Sequence, residues 1–440
     1  MAATKRKTTT TMVQKPAGPR DLEIGEYAAR QRRVRERMEQ QGLDVLLVTD
    51  PTNLYYLTGY NAWSFYTAQI LVLPAEGHPS LYMRHMDAHG AHRTAVGIAA
   101  EHIHGYPEQI VHRPAIHPGD WVAEHLREAG YGRALVVGYE GDSHFFSIRM
   151  FMALSATLPE WQLQESRELV NWVRLVKSPY EIELMRAAGK VCSEAMRTAL
   201  AALAPGRPQN EVAAEVMAAQ ARGVAGTPGD YPSIVPMFPT GEGADTPHLT
   251  WAEAPLPVDA PISIELAGVH RRYHAPMART AVLGRPSAAL QRVAGATIDG
   301  IEAAFDLVRP GATPEEVTAG FTRVIRSAGF EKESRLGYSI GIGYPPDWGE
   351  RTVSFRAGDH TELRENMTFH LIAGMWMDGF GFEVSEPVRV TANGIEFLAD
   401  LPRELTTINV RNNTHGHRIA ADPRPHPARL ADQPAQGIDH

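Results

Sequence analysis

The segment VRLVKSPYEIELMRAAGKV, residues 173–191, marks the point where the chain changes from one pattern of apolar residues to another. Ser178-Pro179 is a strong helix start, because the serine side chain can cap the first turn and proline fits the first helical position. Apolar residues then recur at helical spacing as far as Leu203, and Pro205-Gly206 ends the run. We therefore place a domain boundary near residue 170, with a long helix opening the second domain.

Before that boundary, short apolar runs alternate with helical patterns. Glu26–Gln41 has the pattern of a surface helix, and Asp44–Thr49 (DVLLVT) that of a buried strand. Three more short apolar runs follow: Ala68–Leu73, Ser80–Met86 and Ala134–Gly138. The alternation predicts an α/β domain over residues 21–170, after a basic, threonine-rich flexible leader over residues 1–20.

After the boundary, helices and strands are predicted in separate groups. The elements are helices at Gln209–Arg222, Ser287–Val308 and Thr313–Ala328, and strands at Ile262–Ala267, Tyr273–Leu283, Met367–Met375 and Gly381–Thr391. This grouping predicts an α+β domain over residues 171–405. Residues 406–440 are rich in proline, asparagine, histidine and aspartate without periodicity, and we expect a flexible tail there.

The composition is that of a globular enzyme and excludes several other classes. Apolar residues make up 43% of the 440 and charged residues 21%, with a formal net charge of −8. A net negative chain without lysine and arginine clusters argues against nucleic-acid binding. No apolar run is long enough for a membrane helix, and the single cysteine, Cys192, excludes an intrachain disulfide. We expect a cytoplasmic protein.

Six segments resemble the pita-bread family of methionine aminopeptidases, prolidases and creatinases, and they follow the family's order over about residues 25–405. They are DVLLVTDPTNLYYLTGY (44–60), VRLVKSPYEIELMRAAGKV (173–191), GVHRRYHAPMART (268–280), VRPGATPEEV (308–317), GYSIGIGYPPDWGE (337–350) and EVSEPVRVTANG (383–394). The resemblance implies a creatinase-like α/β N-terminal domain followed by an α+β pita-bread catalytic domain. Function must still be argued from the site.

The resemblance also locates the positions where metal-dependent members hold a pair of metal ions. The five positions, two Asp, one His and two Glu in those members, are occupied here by Glu265, Pro276, Tyr338, Ile372 and Ser385. Proline and isoleucine offer no ligand atom, and a dinuclear site needs several oxygen or nitrogen ligands. The resemblance therefore implies an enzyme without a metal, and we expect no cofactor.

Strand alternation indicates which side chains face the cavity in place of the ligands, because every second residue of a strand lies on one face. If Pro276, Ile372 and Ser385 face inward, then so do His274, His370 and Glu383, while Glu386 points away. Together with Glu265, this gives two carboxylates and two imidazoles, a set suited to acid–base hydrolysis of a cationic substrate. Either histidine could instead be a hydrogen-bonded core residue.

His248 lies in the glycine-containing segment PTGEGADTPHLTW (239–251). The metal-free, creatinase-like members of the family place their catalytic histidine on such a loop, so the resemblance implies that His248 is the general base and acid. Imidazole titrates near neutrality and can take a proton from water and return it to a leaving nitrogen. The alternative is a solvated loop histidine with no role.

Within the family, several segments resemble the members that hydrolyse the cyclic amidine ectoine: GYNAWSFYTAQ (59–69), GDYPSIVPMFPTG (229–241), GYSIGIGYPPDWGER (337–351) and MTFHLIAGMWMDG (367–379). The resemblance implies catalysis by His248, Glu265 and Glu383. It implies a homodimer whose N-terminal domain caps the partner's site, and a deacetylase is a conceivable downstream partner.

We predict substrate contacts from six further residues: His274, His370, Tyr338, Arg335, Trp63 and Tyr66. Tyr338 would donate a hydrogen bond, Arg335 would pair with the substrate carboxylate, and Trp63 and Tyr66 would form an aromatic wall over the amidinium. The alternatives are a creatinase-like hydrolase of a guanidino acid, a metal-dependent Xaa-Pro dipeptidase, a lyase with one metal ion, and a non-catalytic binding module.

Overall fold

The computed structural model describes residues 24–410, and its N-terminal domain is built on a six-stranded mixed sheet. The helices are α1 (Ile24–Gln41), α2 (Pro51–Thr58), α3 (His85–Thr94), α4 (Pro118–Leu126) and α5 (Ile148–Thr157). The strands are β1 (Val45–Val48), β2 (Ile70–Pro74), β3 (Ser80–Arg84), β4 (Ile103–Tyr106), β5 (Leu135–Tyr139) and β6 (Trp161–Glu165), in the spatial order β4-β3-β2-β1-β5-β6. The predicted leader, residues 1–20, lies outside the described residues.

Helix α6 (Leu169–Arg174) connects the two domains. The further helices are α7 (Pro179–Ala202), α8 (Gln209–Arg222), α9 (Ala288–Phe305) and α10 (Pro314–Ser327). The strands are β7 (Pro261–His270), β8 (Tyr273–Leu283), β9 (Gly337–Tyr344), β10 (Asp347–Ser354), β11 (Thr368–Met377), β12 (Phe380–Val390), β13 (Ile395–Phe397) and β14 (Thr406–Ile408). All eight strands join one sheet.

The start of α7 has the cap that its sequence predicts. The Ser178 hydroxyl accepts a hydrogen bond from the Glu181 backbone N–H, and the Glu181 carboxylate accepts one from the Ser178 N–H, which forms a capping box. The helix then packs against β7 at Gly268, where an added Cβ would lie 2.0 Å from the Cys192 nitrogen. Only glycine permits this close approach of helix and strand.

Two antiparallel strand pairs form the part of the sheet that carries the site. In the β7–β8 pair, Glu265 lies opposite Ala278, and in the β11–β12 pair, Glu383 lies opposite Gly374. The Thr280 hydroxyl joins the two pairs, because it donates to the Glu383 carbonyl at 3.0 Å and accepts from the Glu383 N–H at 2.9 Å. The backbone of Glu383 is therefore held against β8.

Several strands were not predicted from the sequence, among them β4, β6 and β13. Gly337–Tyr344 and Asp347–Ser354, for which no strand was predicted, pair with each other as β9 and β10. Thr406–Ile408, placed in the flexible tail, forms a short strand parallel to the end of β8, where the unpaired edge of that strand offers hydrogen bonds. The rest of the predicted tail, from residue 411 onward, lies outside the described residues.

None of the helices within residues 24–410 combines the length and the apolar character needed to cross a membrane.

Buried charges join the two domains. The Arg30 guanidinium of α1, which is 0% exposed, lies 3.3 Å from the Glu181 carboxylate and donates to the Tyr273 hydroxyl at 2.9 Å. A shared apolar core surrounds this contact and includes Leu54 from the first domain and Val269 from the second. The N-terminal domain is therefore fixed to the catalytic sheet.

Replacing Arg30 by methionine should lower the free energy of unfolding by about 3–5 kcal/mol, because Glu181 would stay buried without its cationic partner. Urea denaturation followed by tryptophan fluorescence measures the change. The matched control is Arg37→Met, an arginine of the same helix whose guanidinium donates to the exposed Gln40 side chain. Equal denaturation midpoints for the two variants would contradict the assigned role of Arg30.

Candidate active site

A cavity of about 260 Å³ lies over the sheet, between the β7–β8 and β11–β12 pairs. Five of the residues predicted for the site line it: His248, Glu265, Arg335, Tyr338 and Glu383. The other lining side chains include Met237, Lys332, Asp347, Trp348, Ile372 and Trp376. The structure thus brings the three predicted catalytic residues to one place.

Glu265 and Glu383 form a pair of buried carboxyl groups with no ion-pair contact among the described residues, although the charge of nearby Lys332 acts on Glu383. Within the described residues, neither carboxylate oxygen of Glu383 has a hydrogen-bond partner. Burial raises the pKa of Glu265 to about 7. Burial, and then the neighbouring charge of Glu265, raise the pKa of Glu383 well above its ordinary value. The pair therefore holds a proton near neutral pH, and a cation between the two groups would release it.

Lys332 is a cavity residue that the sequence analysis missed. Its ammonium group donates to the Ser334 hydroxyl at 2.6 Å and to the Gly374 carbonyl at 2.7 Å. Burial lowers the pKa of Lys332 to about 8, and the nearby Glu383 opposes that shift. Lys332 lies in the loop between α10 and β9, where no periodicity shows which side chains face inward.

Backbone hydrogen bonds through residues 237 and 238 connect the loop of His248 to the strand of Glu265. The Met237 N–H donates to the Glu265 carbonyl at 2.9 Å, and the next residue, Phe238, donates to the Leu249 carbonyl at 2.8 Å. A short 3-10 helix, Gly241–Asp245, precedes His248. The exposed His248 side chain therefore lies at the rim of the cavity, with access to solvent.

The same loop also rests on β12. The Ala244 carbonyl approaches Gly381 so closely that an added Cβ would lie 2.0 Å away. Gly381 precedes Glu383 by two residues, so the loop of His248 and the strand of Glu383 are in direct contact. The backbone thus sets the separation of His248 and the carboxyl pair.

His370 lies on the predicted face of β11 but does not line the cavity. Its Nε2 atom is 2.6 Å from the Ser385 hydroxyl oxygen, and its Nδ1 atom is 3.0 Å from the Tyr338 hydroxyl oxygen. Burial lowers the pKa of His370 to about 3, so the ring is neutral. Because both nitrogens are engaged, the predicted substrate contact of His370 is replaced by a contact with Tyr338.

His274 also stays outside the cavity, contrary to its predicted place there. Its Nε2 atom accepts a hydrogen bond from the Ser233 N–H at 2.9 Å, and its Nδ1 atom is 2.8 Å from the Arg272 carbonyl oxygen. Burial holds the pKa of His274 well below its ordinary value. In the register of β7 and β8, His274 pairs with Val269, four residues along β7 from Glu265. His274 therefore lies on the predicted face of β8 but too far along the strand to reach the cavity.

The predicted aromatic wall is not part of this chain's own cavity. Trp63 is 58% exposed and packs on Tyr231 with ring centroids 4.9 Å apart, and Tyr66 is 62% exposed. Their role at a partner's site stays a prediction. Arg335 does line the cavity, and its guanidinium lies 4.2 Å from the centre of the Tyr338 ring.

The residues present do not fit a pair of metal ions. Pro276 and Ile372 have no donor atom, and the hydroxyls of Tyr338 and Ser385 are engaged with His370. The remaining acid of β12 on the opposite face, Glu386, is paired with Arg279. Among residues 24–410, no three histidine, cysteine, aspartate or glutamate side chains are grouped as metal ligands. We derive no step through a metal.

Comparison with known families agrees with this architecture. The Creatinase/Prolidase N-terminal domain matches residues 30–176, and Metallopeptidase family M24 matches residues 183–392. These matches confirm the predicted fold class, an α/β N-terminal domain followed by a pita-bread domain.

The chain is also similar to two curated proteins along most of its length. It is 41% identical to ectoine hydrolase from Halomonas elongata over 387 residues, which cover 86% of this chain and 96% of that protein. It is 40% identical to an uncharacterized hydrolase/peptidase from Sinorhizobium fredii, over 86% of this chain and 97% of that protein.

Solved structures of lower sequence identity share the fold. Dipeptidase PepE from Mycobacterium ulcerans superposes with a TM-score of 0.73 at 24% identity, over 88% of this chain and all of that one. A prolidase from Thermococcus sibiricus gives a TM-score of 0.76 at 19% identity, over 87% and 99% of the two chains. These similarities concern the fold alone.

Replacing Glu265 by glutamine should stabilise the protein at alkaline pH. A carboxyl group whose pKa is about 7 when folded and 4.5 when unfolded loses stability as pH rises between those values. The difference of 2.5 units corresponds to about 3 kcal/mol. The advantage of the variant in denaturant midpoint should therefore grow from pH 5 to pH 7 and then level off.

The exposed Glu253→Gln variant is the matched control and should follow the wild type at every pH. An advantage of Glu265→Gln that does not change with pH would show that the Glu265 carboxyl is not strained by burial.

Proposed function

Because the chain belongs to the pita-bread family, in which a creatinase/prolidase N-terminal domain precedes an M24 catalytic domain, we propose that it hydrolyses the cyclic amidine ectoine. The product would be N-acetyl-2,4-diaminobutyrate. The observation that carries the proposal is the buried Glu265–Glu383 pair, in which neither oxygen of Glu383 has a hydrogen-bond partner within the described residues. The similarity to ectoine hydrolase over most of the chain supports the choice of substrate.

The size of the cavity suits a small ligand. Its volume of about 260 Å³ is below the usual range for drug-sized ligands, which starts near 300 Å³. Ectoine combines a ring amidinium with a carboxylate. The amidinium would lie against Glu265 and Glu383, and its delocalised charge would supply the cation that the pair lacks.

The same cavity also offers positive charge, with Lys332 close to Glu383. Lys332 and Arg335 both line it, and the two engaged protons of the Lys332 ammonium leave one free to donate. We assign these two side chains to the substrate carboxylate. The arrangement of acids and bases thus matches a zwitterion, and a simple cation would gain nothing from Lys332 and Arg335.

His248 would move the protons. As a neutral base it takes a proton from water, and the hydroxide adds to the methyl-bearing ring carbon, forming a C–O bond. One ring C–N bond then breaks, its electron pair goes to the nitrogen, and the imidazolium returns the proton to that nitrogen. The carbon keeps the new oxygen as the amide carbonyl of the acetyl group, and the proton of its hydroxyl passes to the released amine, which becomes an ammonium group. No metal enters these steps, and we propose that turnover is metal-independent.

Incubating the purified protein with ectoine or with creatine, each in the presence and absence of EDTA, tests the proposal. Mass spectrometry should show a product heavier than ectoine by one water, formed equally with EDTA, and no change in creatine. Hydrolysis of creatine alone would favour the creatinase-like alternative. Loss of ectoine turnover with EDTA, restored by one metal, would overturn metal independence.

Replacing His248 by alanine should lower kcat by about 10²–10⁴-fold while ectoine still binds, because general acid–base catalysis contributes a factor of this size. Steady-state assays give kcat, and isothermal titration calorimetry gives the affinity. His144→Ala, a change at a histidine of the N-terminal domain, is the control. A His248→Ala enzyme with near-normal kcat would remove this histidine from the mechanism.

A further inference from the structure

The hydrogen bonds around Tyr338 have a direction that can be read from the groups at their ends. One end is the backbone N–H of Ala278, which donates to the Ser385 hydroxyl oxygen at 2.6 Å. The other end is the indole N–H of Trp348, which donates to the Tyr338 hydroxyl oxygen at 2.8 Å. Neither an amide N–H nor an indole N–H can accept, so these two bonds cannot reverse.

The buried Ser385 hydroxyl determines the next bond. It already accepts from Ala278, and its own proton needs an acceptor because an unpaired buried hydroxyl is costly. Within residues 24–410, its one other hydrogen-bond partner is Nε2 of His370, at 2.6 Å. Ser385 therefore donates to Nε2, and the neutral His370 ring carries its proton on Nδ1.

That tautomer determines the direction at Tyr338. Nδ1–H of His370 donates to the Tyr338 oxygen at 3.0 Å, and the same oxygen accepts from Trp348. With both lone pairs engaged, the phenol can only donate. Among the described residues no protein group accepts the phenol's own proton, and the Tyr338 side chain lines the cavity beside Glu265.

We propose that Tyr338 is a one-way hydrogen-bond donor to the oxygen that water delivers to the reacting carbon, and that His370 is the positioning residue that enforces this direction. The inference rests on the proposed function, since it concerns the same cavity. As the tetrahedral intermediate collapses, its hydroxyl loses a proton and becomes the amide carbonyl. Negative charge develops on that oxygen, and a fixed donor stabilises it. Burial raises the pKa of Tyr338 well above its ordinary value, which keeps the phenol protonated.

Kinetics of Tyr338→Phe, His370→Leu and the double variant test the proposal. Tyr338→Phe should lower kcat for ectoine about 10²-fold, the usual effect of removing one such donor, with KM within about threefold. His370→Leu should lower kcat similarly, and the double variant should be no slower than Tyr338→Phe, because His370 acts only through the phenol. His370→Asn, which can place an amide N–H near the position of Nδ1, should recover at least about tenfold over leucine.

The matched control is Tyr82→Phe, which removes a buried phenolic hydroxyl from the N-terminal sheet and should keep wild-type kcat. Multiplicative losses in the double variant would assign His370 a separate, structural role and overturn the proposal. Normal kcat in Tyr338→Phe would also overturn the proposal, because the Tyr338 hydroxyl would then have no catalytic function. Turnover of ectoine by the wild type, and with it the proposed function, would still stand. If His370→Leu does not fold, the test of the proposal rests on Tyr338→Phe and His370→Asn alone.

Nitrogen NMR of the protein with ¹⁵N-labelled histidine tests the direction independently of turnover. The signals lost in His370→Asn identify His370, and they should show a protonated Nδ1 and an unprotonated Nε2 from pH 6 to pH 9. A protonated Nε2 would mean that the hydrogen bonds between Ser385, His370 and Tyr338 run in the opposite direction, which would overturn the inference. An inactive wild type with the expected tautomer would refute the proposed function and, with it, the catalytic role of Tyr338, while the hydrogen-bond direction would stand.

Discussion

Two carboxyl groups, Glu265 and Glu383, are buried close together on one face of the sheet with no ion-pair contact among the described residues, and the rest of the site is organised around them. Such an arrangement is unfavourable by itself, because burial and mutual repulsion both penalise the charged forms. It persists because long strand pairs and the Thr280 contacts hold the backbone of each residue. The stability of the sheet therefore compensates for a strained cavity.

The strain makes the cavity selective. A neutral ligand would leave the carboxyl pair holding its proton, whereas a delocalised cation allows both groups to ionise. Lys332 and Arg335 provide the opposite charge at the same cavity. In the proposed function, the site would distinguish a ligand that carries both charges from one that carries a single charge.

The sequence predicted well which side chains lie on the cavity face of each strand. It predicted poorly how far along each strand the cavity extends. The period of two placed Glu383 and His370 on the correct face, and the bounds of α8 and β8 agree with prediction. The period does not say how far along a strand the cavity extends, so His274 was placed in it wrongly.

Residues on loops and in glycine-rich segments could not be predicted by pattern. Lys332 reaches the cavity from a loop, where a side chain's direction depends on tertiary contacts. GYSIGIGY forms β9 although glycine weakens a strand's intrinsic preference, because the neighbouring strands supply the pairing. The short strand Thr406–Ile408 exists only because β8 has an edge to offer.

Hydrogen-bond direction explains how a cavity of this family can work with neutral groups at former ligand positions. Tyr338 and Ser385 occupy two of those positions, and His370 joins them. A metal ion attracts any lone pair near it, whereas a phenol with both lone pairs engaged favours only an acceptor along its own O–H bond. Where a metal ion would attract any nearby lone pair, this site has one hydrogen-bond donor of fixed direction. In the proposed function the positive charge comes from the substrate itself, so the carboxyl pair would bind its cation while the directed phenol would act on its oxygen.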